Sequence, residues 1–240
     1  MRGWGVYNTK LETRKSGAIH MGKNYPKRLL LCVTGLMLYG LGSFFGVIAG
    51  SAGTNAWSTL SLGLAGKLGV SYGTGNIIIS ILVLGVDLLC RGKLGVGSVL
   101  NAFLVALFSD FFIGTFTFIP PAENMALGVV YTLLGQVIIA FATIVYTLPA
   151  LGCGPRDTLL VTIGRRFARF PIGTVKFGME IFVLLLGVAL GAPFGLGTVL
   201  VLALQASIFQ LVCRLCRYEI RSIEHEDLID TYRYLLKGGK

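Results

Sequence analysis

The sequence predicts an all-α polytopic membrane protein, with six transmembrane helices forming two inverted-topology three-helix repeats and a short interfacial or re-entrant helix in each repeat. Three observations predict it. The composition suits lipid rather than water, with 54% hydrophobic and 13% charged residues and a mean hydropathy of +0.77. Six apolar runs approach the roughly 20 residues that a helix needs to cross the hydrocarbon layer. The chain also repeats itself. Gly95-Val96-Gly97-Ser98-Val99-Leu100 returns 100 residues later as Gly195-Leu196-Gly197-Thr198-Val199-Leu200. The same offset sets Gly35 on Gly135, Gly73-Thr74 on Gly173-Thr174, Ile81 on Ile181, Val83-Leu84 on Val183-Leu184 and Ala106 on Ala206. With one residue lost between them, Gly53 and Thr59-Leu60 match Gly152 and Thr158-Leu159. Duplicated units with an odd number of spans face opposite ways in a bilayer, a frequent arrangement in transporters.

Residues 1–27 form a basic tail, expected to be unstructured and cytoplasmic, with Lys10, Arg14, Lys15, Lys23 and Lys27. A lipid-contacting role for this tail is the alternative. The apolar run behind it is too long for a cleaved signal peptide and reads as the first anchor. Met21 offers a second position for translation to start. The first repeat, 28–117, holds spans at 28–50, 75–91 and 95–117. The second, 125–216, holds spans at 125–149, 174–191 and 196–216. Basic residues gather on alternate sides, as topology requires. The N-terminal tail, Arg91 with Lys93, Arg156 with Arg165, Arg166 and Arg169, and Arg214 with Arg217 and Arg221 are expected inside. Lys67 is the only charge of loop 51–74, Glu123 the only one of 118–124, and 192–195 has none, so these loops are expected outside. The chain is thus expected in the inner (plasma) membrane with both termini cytoplasmic.

Segments 56–68 and 155–168 occupy matching places and are too short to span. Asn55 is a fair N-cap for the first. Pro155 fits the first helical turn of the second, with Asp157 near the positive end of the helix dipole. Leu159, Leu160, Ile163 and Phe167 would make one face of the second segment. Thr158, Thr162, Arg165, Arg166 and Arg169 would make the other. That pattern fits a helix in the membrane interface. A re-entrant half-helix stays open, since such ends build substrate sites in transporters. The tail 217–240 alternates acids and bases around Ile220, Ile223, Ile229 and Tyr232, and reads as a cytoplasmic amphipathic helix.

The run Gly95-x-Gly97-Ser98-Val99-Leu100-Asn101-Ala102, followed by Asp110, resembles the first-half signature of the YczE/YyaS/YitT family of bacterial integral membrane proteins. The run Gly152-x-Gly154-Pro155-Arg156-Asp157-Thr158-Leu159, Lys176 with Glu180, and Gly195-x-Gly197-Thr198 resemble its second-half signature, in the YczE-like branch. The likeness covers roughly residues 28–215. It implies a multi-span membrane fold and hints at transport without naming a solute. One departure stands out. Where the family often carries Pro-Trp-Asp, this chain reads Ala56-Trp57-Ser58, which removes the acidic group from the first half.

Ionisable groups inside spans are expensive and therefore point to function. Glu180 lies about 9 Å along its helix from the cytoplasmic start and is a candidate proton carrier. Lys176, one turn earlier, would pair with it or snorkel to the surface. A coupling pair and a structural ion pair are both open readings. Asp110 faces an aqueous cavity or caps a helix contact near the outer surface. Asp87 is most simply an interfacial pair with Arg91. Asn76, Asn101, Gln136 and Gln205 are neutral amides that bond neighbouring helices or touch a solute. Gly95, Gly97, Gly195, Gly197 and Thr198 permit close packing at the start of the third span of each half; a glycine-lined solute path is the alternative. The short second spans that begin Gly-Thr place the expected site between the halves, near Asn76, Asn101, Lys176 and Glu180.

A secondary transporter of a small solute, with proton coupling, is the leading expectation. A membrane scaffold or accessory subunit is the alternative. No Walker-type loop, no H-E-x-x-H and no histidine within a span are present, so no enzyme is expected. No cofactor and no metal are expected either. The net charge of +10 sits between apolar runs and argues against nucleic acid. The expected partners are the lipid bilayer and a small solute. The sequence leaves room for a homo-oligomer or a cytoplasmic partner, and does not fix solute, direction or coupling ion.

Overall fold

The structure, a computed structural model, describes residues 25–218 except Arg91, Lys93 and Ala168. Most of the basic tail, the Arg91 and Lys93 charges and nearly all of the 217–240 segment lie outside the described residues. Among the described residues the regular structure is helical. It comprises α1 (Tyr25–Ile48), α2 (Ala56–Leu68), α3 (Tyr72–Leu89), α4 (Val96–Thr115), α5 (Met125–Thr147), α6 (Pro155–Arg166), α7 (Ile172–Ala189) and α8 (Leu196–Leu215), with a 3-10 turn at Gly50–Ala52. All except α2 and α6 are long and apolar enough to cross a membrane. They coincide with the six expected spans, and α2 and α6 with the two short segments. This is a multi-pass membrane protein. Its outer faces carry Leu107, Phe111, Phe182 and Leu185, each more than half exposed, as lipid contact requires.

Local chemistry sets the helix ends and corrects three boundaries. α1 begins at Tyr25, inside the stretch expected to be unstructured, because Pro26 suits a first helical turn. α3 begins at Tyr72 rather than 75, because the Ser71 side chain caps it and accepts the Thr74 N–H at 3.1 Å. α7 begins at Ile172, directly after Pro171. Asn55 caps α2 by accepting the Ser58 N–H at 3.0 Å, and Pro155 opens α6 after Gly154.

α1 and α5 form the centre and run antiparallel. Arg28 donates from Nε and Nη2 to the Pro149 carbonyl at 2.9 and 2.7 Å. At the other end the Ala122 N–H reaches the Ile48 carbonyl at 2.8 Å. The glycines set the spacing. A Cβ on Gly35 would stand 2.7 Å from Tyr146 Cβ, and one on Gly135 would stand 2.6 Å from the Gly42 carbonyl. α4 packs on α1, and α8 on α5. The short helices cross over. α2 packs on α7 as well as α3, and α6 on α3 as well as α7.

The loops before the short helices also exchange. Gly53 has φ 76° and Gly152 has φ 127°, conformations that favour glycine. The Gly97 N–H donates to the Leu151 carbonyl at 2.7 Å, and Ser98 Oγ donates to the Cys153 carbonyl. On the matching side, the Gly197 Cα region lies against loop 51–53, where a Cβ would stand 2.8 Å from the Ala52 carbonyl. The glycine pairs thus sit at close backbone approaches.

Burial along the short helices follows their axes. In α2 residues 56–59 are buried and 66–68 exposed. In α6 Pro155, Thr158 and Leu159 are buried while Arg165 and Arg166 are exposed. This corrects the expected polar face of α6. Thr158 is buried because the first turn enters the bundle end-on, and Phe167 of the expected apolar face is exposed.

Among the matched contacts, one pair differs most. α3 packs along α4, whereas α7 and α8 diverge. A Cβ on Gly73 would stand 2.6 Å from the Ala106 carbonyl, but one on the matching Gly173 would meet nothing within 4 Å.

Candidate functional site

The buried ends of α2 and α6 meet at a cavity of about 160 Å³ between the two halves. Asn55 and Trp57 come from the start of α2, and Gly154, Arg156 and Asp157 from the start of α6. Tyr39 of α1, Asn101 of α4 and Gln136 of α5 line it too, as do Lys176 and Glu180 of α7 and Gln205 of α8. Every spanning helix except α3 thus contributes a side chain.

Two charged centres organise it. Glu180 is 5% exposed. Lys176 Nζ stands 3.8 Å from its Oε1, and Gln205 Nε2 donates to its Oε2. This trio bridges the divergent α7 and α8. The second centre is Arg156. Its Nη2 donates to Asn76 Oδ1 at 2.5 Å, and its guanidinium lies 5.0 Å over the Trp57 ring, a cation–π arrangement. Asn76 also accepts from Ser61 Oγ at 3.2 Å. Among the described residues no carboxylate stands within ion-pair distance of Arg156. Asp157 Oδ2 accepts the Tyr146 hydroxyl at 3.2 Å. Next to this turn, burial pushes the Cys153 thiol up to about 12, with the Asp157 charge adding to it.

The family model for a family of unknown function, DUF6198, matches residues 26–214. The chain belongs to this family. It is 33% identical over 184 residues to an uncharacterized protein of Haemophilus influenzae, covering 77% of this chain and 82% of that one. It is 31% identical over 178 residues to the uncharacterized membrane protein YczE of Bacillus subtilis, covering 73% and 80%. The YczE-like resemblance drawn from residues 95–102 and 152–159 is therefore sound. No solved structure matches the chain.

Within this DUF6198 fold, the sequence-expected Glu180, Lys176, Asn101, Gln136 and Gln205 come together in the cavity. Asn76 stands behind it, one hydrogen bond away through Arg156. Asp157, expected only as a helix-start residue, lines the cavity. Asp110 does not. It accepts Ser71 Oγ at 2.5 Å and the Gly73 N–H at 2.7 Å, and so fastens the start of α3 to α4. Asp87 also departs from expectation. It is fully buried, with neither carboxylate oxygen bonded among the described residues, because α3 turns it inward. Its expected partner Arg91 lies outside those residues.

Sequence reasoning missed Arg156, Trp57, Tyr39 and Asn55. In the sequence Arg156 stands among the cytoplasmic loop charges, as basic residues beside a span usually do. The available signal was its position in the first turn of a short helix whose repeat partner is Trp57.

Proposed function

We propose that this DUF6198 protein is a secondary transporter of a small solute. In this reading two three-helix repeats are inserted in opposite orientations in the plasma membrane, with both termini cytoplasmic. The antiparallel packing of the matched helices α1 and α5 supports the inversion. The end-on burial of α2 and α6 supports re-entrant half-helices whose N-termini meet at the solute site.

The observation that carries the reading is the unequal packing of matched helix pairs. α3 is held to α4 by Asp110, while α7 and α8 stand apart beside the Lys176–Glu180–Gln205 trio. With the proposed topology, the site is closed outward and open to the cytoplasm. In the opposite state α7 closes on α8, bringing Gly173 to Ala206, and Asp110 releases Ser71 and Gly73. Glu180, the buried acid at the open pair, is the proton carrier of this scheme.

The test is uptake into proteoliposomes against a solute panel, with and without a pH gradient. Glu180→Gln is expected to abolish the pH-dependent part, and Lys176→Ala to lose uptake. An accessory subunit or scaffold would give no uptake with the wild-type chain. Wild-type rates in both variants would remove these residues as the coupling pair. Paired Gly173→Cys and Ala206→Cys substitutions should form a disulfide that stops transport; failure to cross-link during turnover would sink the rocking scheme.

A further inference from the structure

The charges lining the cavity are not equally satisfied. Glu180 already has a lysine and an amide, and Asp157 has the Tyr146 hydroxyl. Among the described residues Arg156 has only neutral partners, the Asn76 oxygen, the neighbouring Tyr39 hydroxyl and a ring face. A guanidinium offers five N–H donors in a planar fork, and a partly buried one without an anion is costly. The Trp57 ring lies against this fork, and Asn76 occupies one of its nitrogens. The remaining donors match two oxygens in one plane. α2 and α6 both point their positive ends at the same space, which adds to its attraction for negative charge.

We propose that the solute is a small organic anion whose carboxylate is taken by Arg156. This rests on the cavity being the solute site of the proposed transporter. The cavity of about 160 Å³ limits the solute to a small one. Gln136 and Asn101 supply hydrogen bonds to polar substituents, and Met179 and Phe209 supply an apolar wall. A matched amide presents an N–H₂ group to a donor-only fork, and an amine adds positive charge beside Arg156. Both are excluded by the same geometry.

Binding is measured on the full chain in nanodiscs. Trp4→Phe makes Trp57 the one tryptophan and hence the reporter of the site. The probes are lactate, propionate and benzoate, each against its amide, with benzylamine as the cationic control. Saturable changes in Trp57 emission are expected for carboxylates and not for the amides or the amine. Arg156→Gln is expected to weaken carboxylate binding at least tenfold, and Arg156→Lys to weaken it less. If the glutamine variant fails to fold, phenylglyoxal modification of the wild-type chain gives the same answer. Carboxylates should then protect Arg156 but not the exposed Arg165 and Arg166. Equal binding of amides or amines, undiminished binding in a folded Arg156→Gln variant, or no protection of Arg156 overturns the proposal. Carboxylate binding without uptake into liposomes would instead leave it standing and remove the transport reading. Uptake of neutral or cationic solutes with no carboxylate binding would do the reverse.

Discussion

Gly135 sets how closely the two central helices approach. A Cβ at this position would stand 2.6 Å from the Gly42 carbonyl oxygen and 3.2 Å from Phe45 Cβ. An ordinary carbon–oxygen contact is about 3.3 Å, so Gly135→Ala forces α5 away from α1 by about 0.7 Å. Overpacking of this kind costs about 1–3 kcal/mol. Alanine recovers up to about 1 kcal/mol of helix propensity, which obscures the single measurement. The control is Gly85→Ala, where a Cβ meets nothing within 4 Å and the propensity gain is the same. The difference between the two variants isolates the clash. At about 2–4 °C per kcal/mol for a chain of this size, it corresponds to about 2–12 °C in Tm. Thermal unfolding in detergent, followed by size-exclusion chromatography, reads it directly. A Gly135→Ala protein as stable as Gly85→Ala would refute the close approach of α1 and α5.

Asp110→Ala removes the acceptor of two bonds to α3; a loss of about 2–3 kcal/mol is expected, together with new labelling of an Asn101→Cys probe by an external impermeant maleimide. Unchanged labelling would show that Asp110 is no latch. Cys153, its thiol held up to about 12 by burial, stays protonated through neutral pH. A chain keeping Cys153 alone should therefore react with maleimide far more slowly than one keeping the exposed Cys216 alone, and equal rates would contradict the burial. Asp87→Asn keeps the shape of a buried carboxyl that is unbonded among the described residues while removing its charge. Tm should hold or rise, because an unpaired buried charge is costly. A fall of several degrees would mean that the carboxylate has a partner beyond those residues.

The spans were legible because hydrocarbon thickness dictates the length of an apolar run. Their ends were less so. Hydropathy alone starts the second span at 75, whereas the Ser71 cap starts α3 at Tyr72. In the site, Glu180, Lys176, Gln136 and Gln205 stood out because polar groups inside a span are costly and rare. Arg156 did not, since an arginine near a span end reads equally as a topology marker. Only the end-on entry of α6 carries it inward, and that entry depends on contacts with α3 and α7 from both halves. Asp110 had two open readings, and the choice fell to a tertiary contact, its bonds across to Ser71 and Gly73.

The exchanged loops have a consequence for biosynthesis. The Gly53 carbonyl is taken by the Thr132 hydroxyl at 2.6 Å, and its loop nests against Gly195 and Gly197. Those residues leave the ribosome long after Gly53 does. Thr132 of α5 can cover the Gly53 carbonyl first, but the packing of loop 51–53 is complete only once the start of α8 has been made. A message truncated before the codon for Gly195 would release a product whose loop 51–53 lacks half of its packing partners.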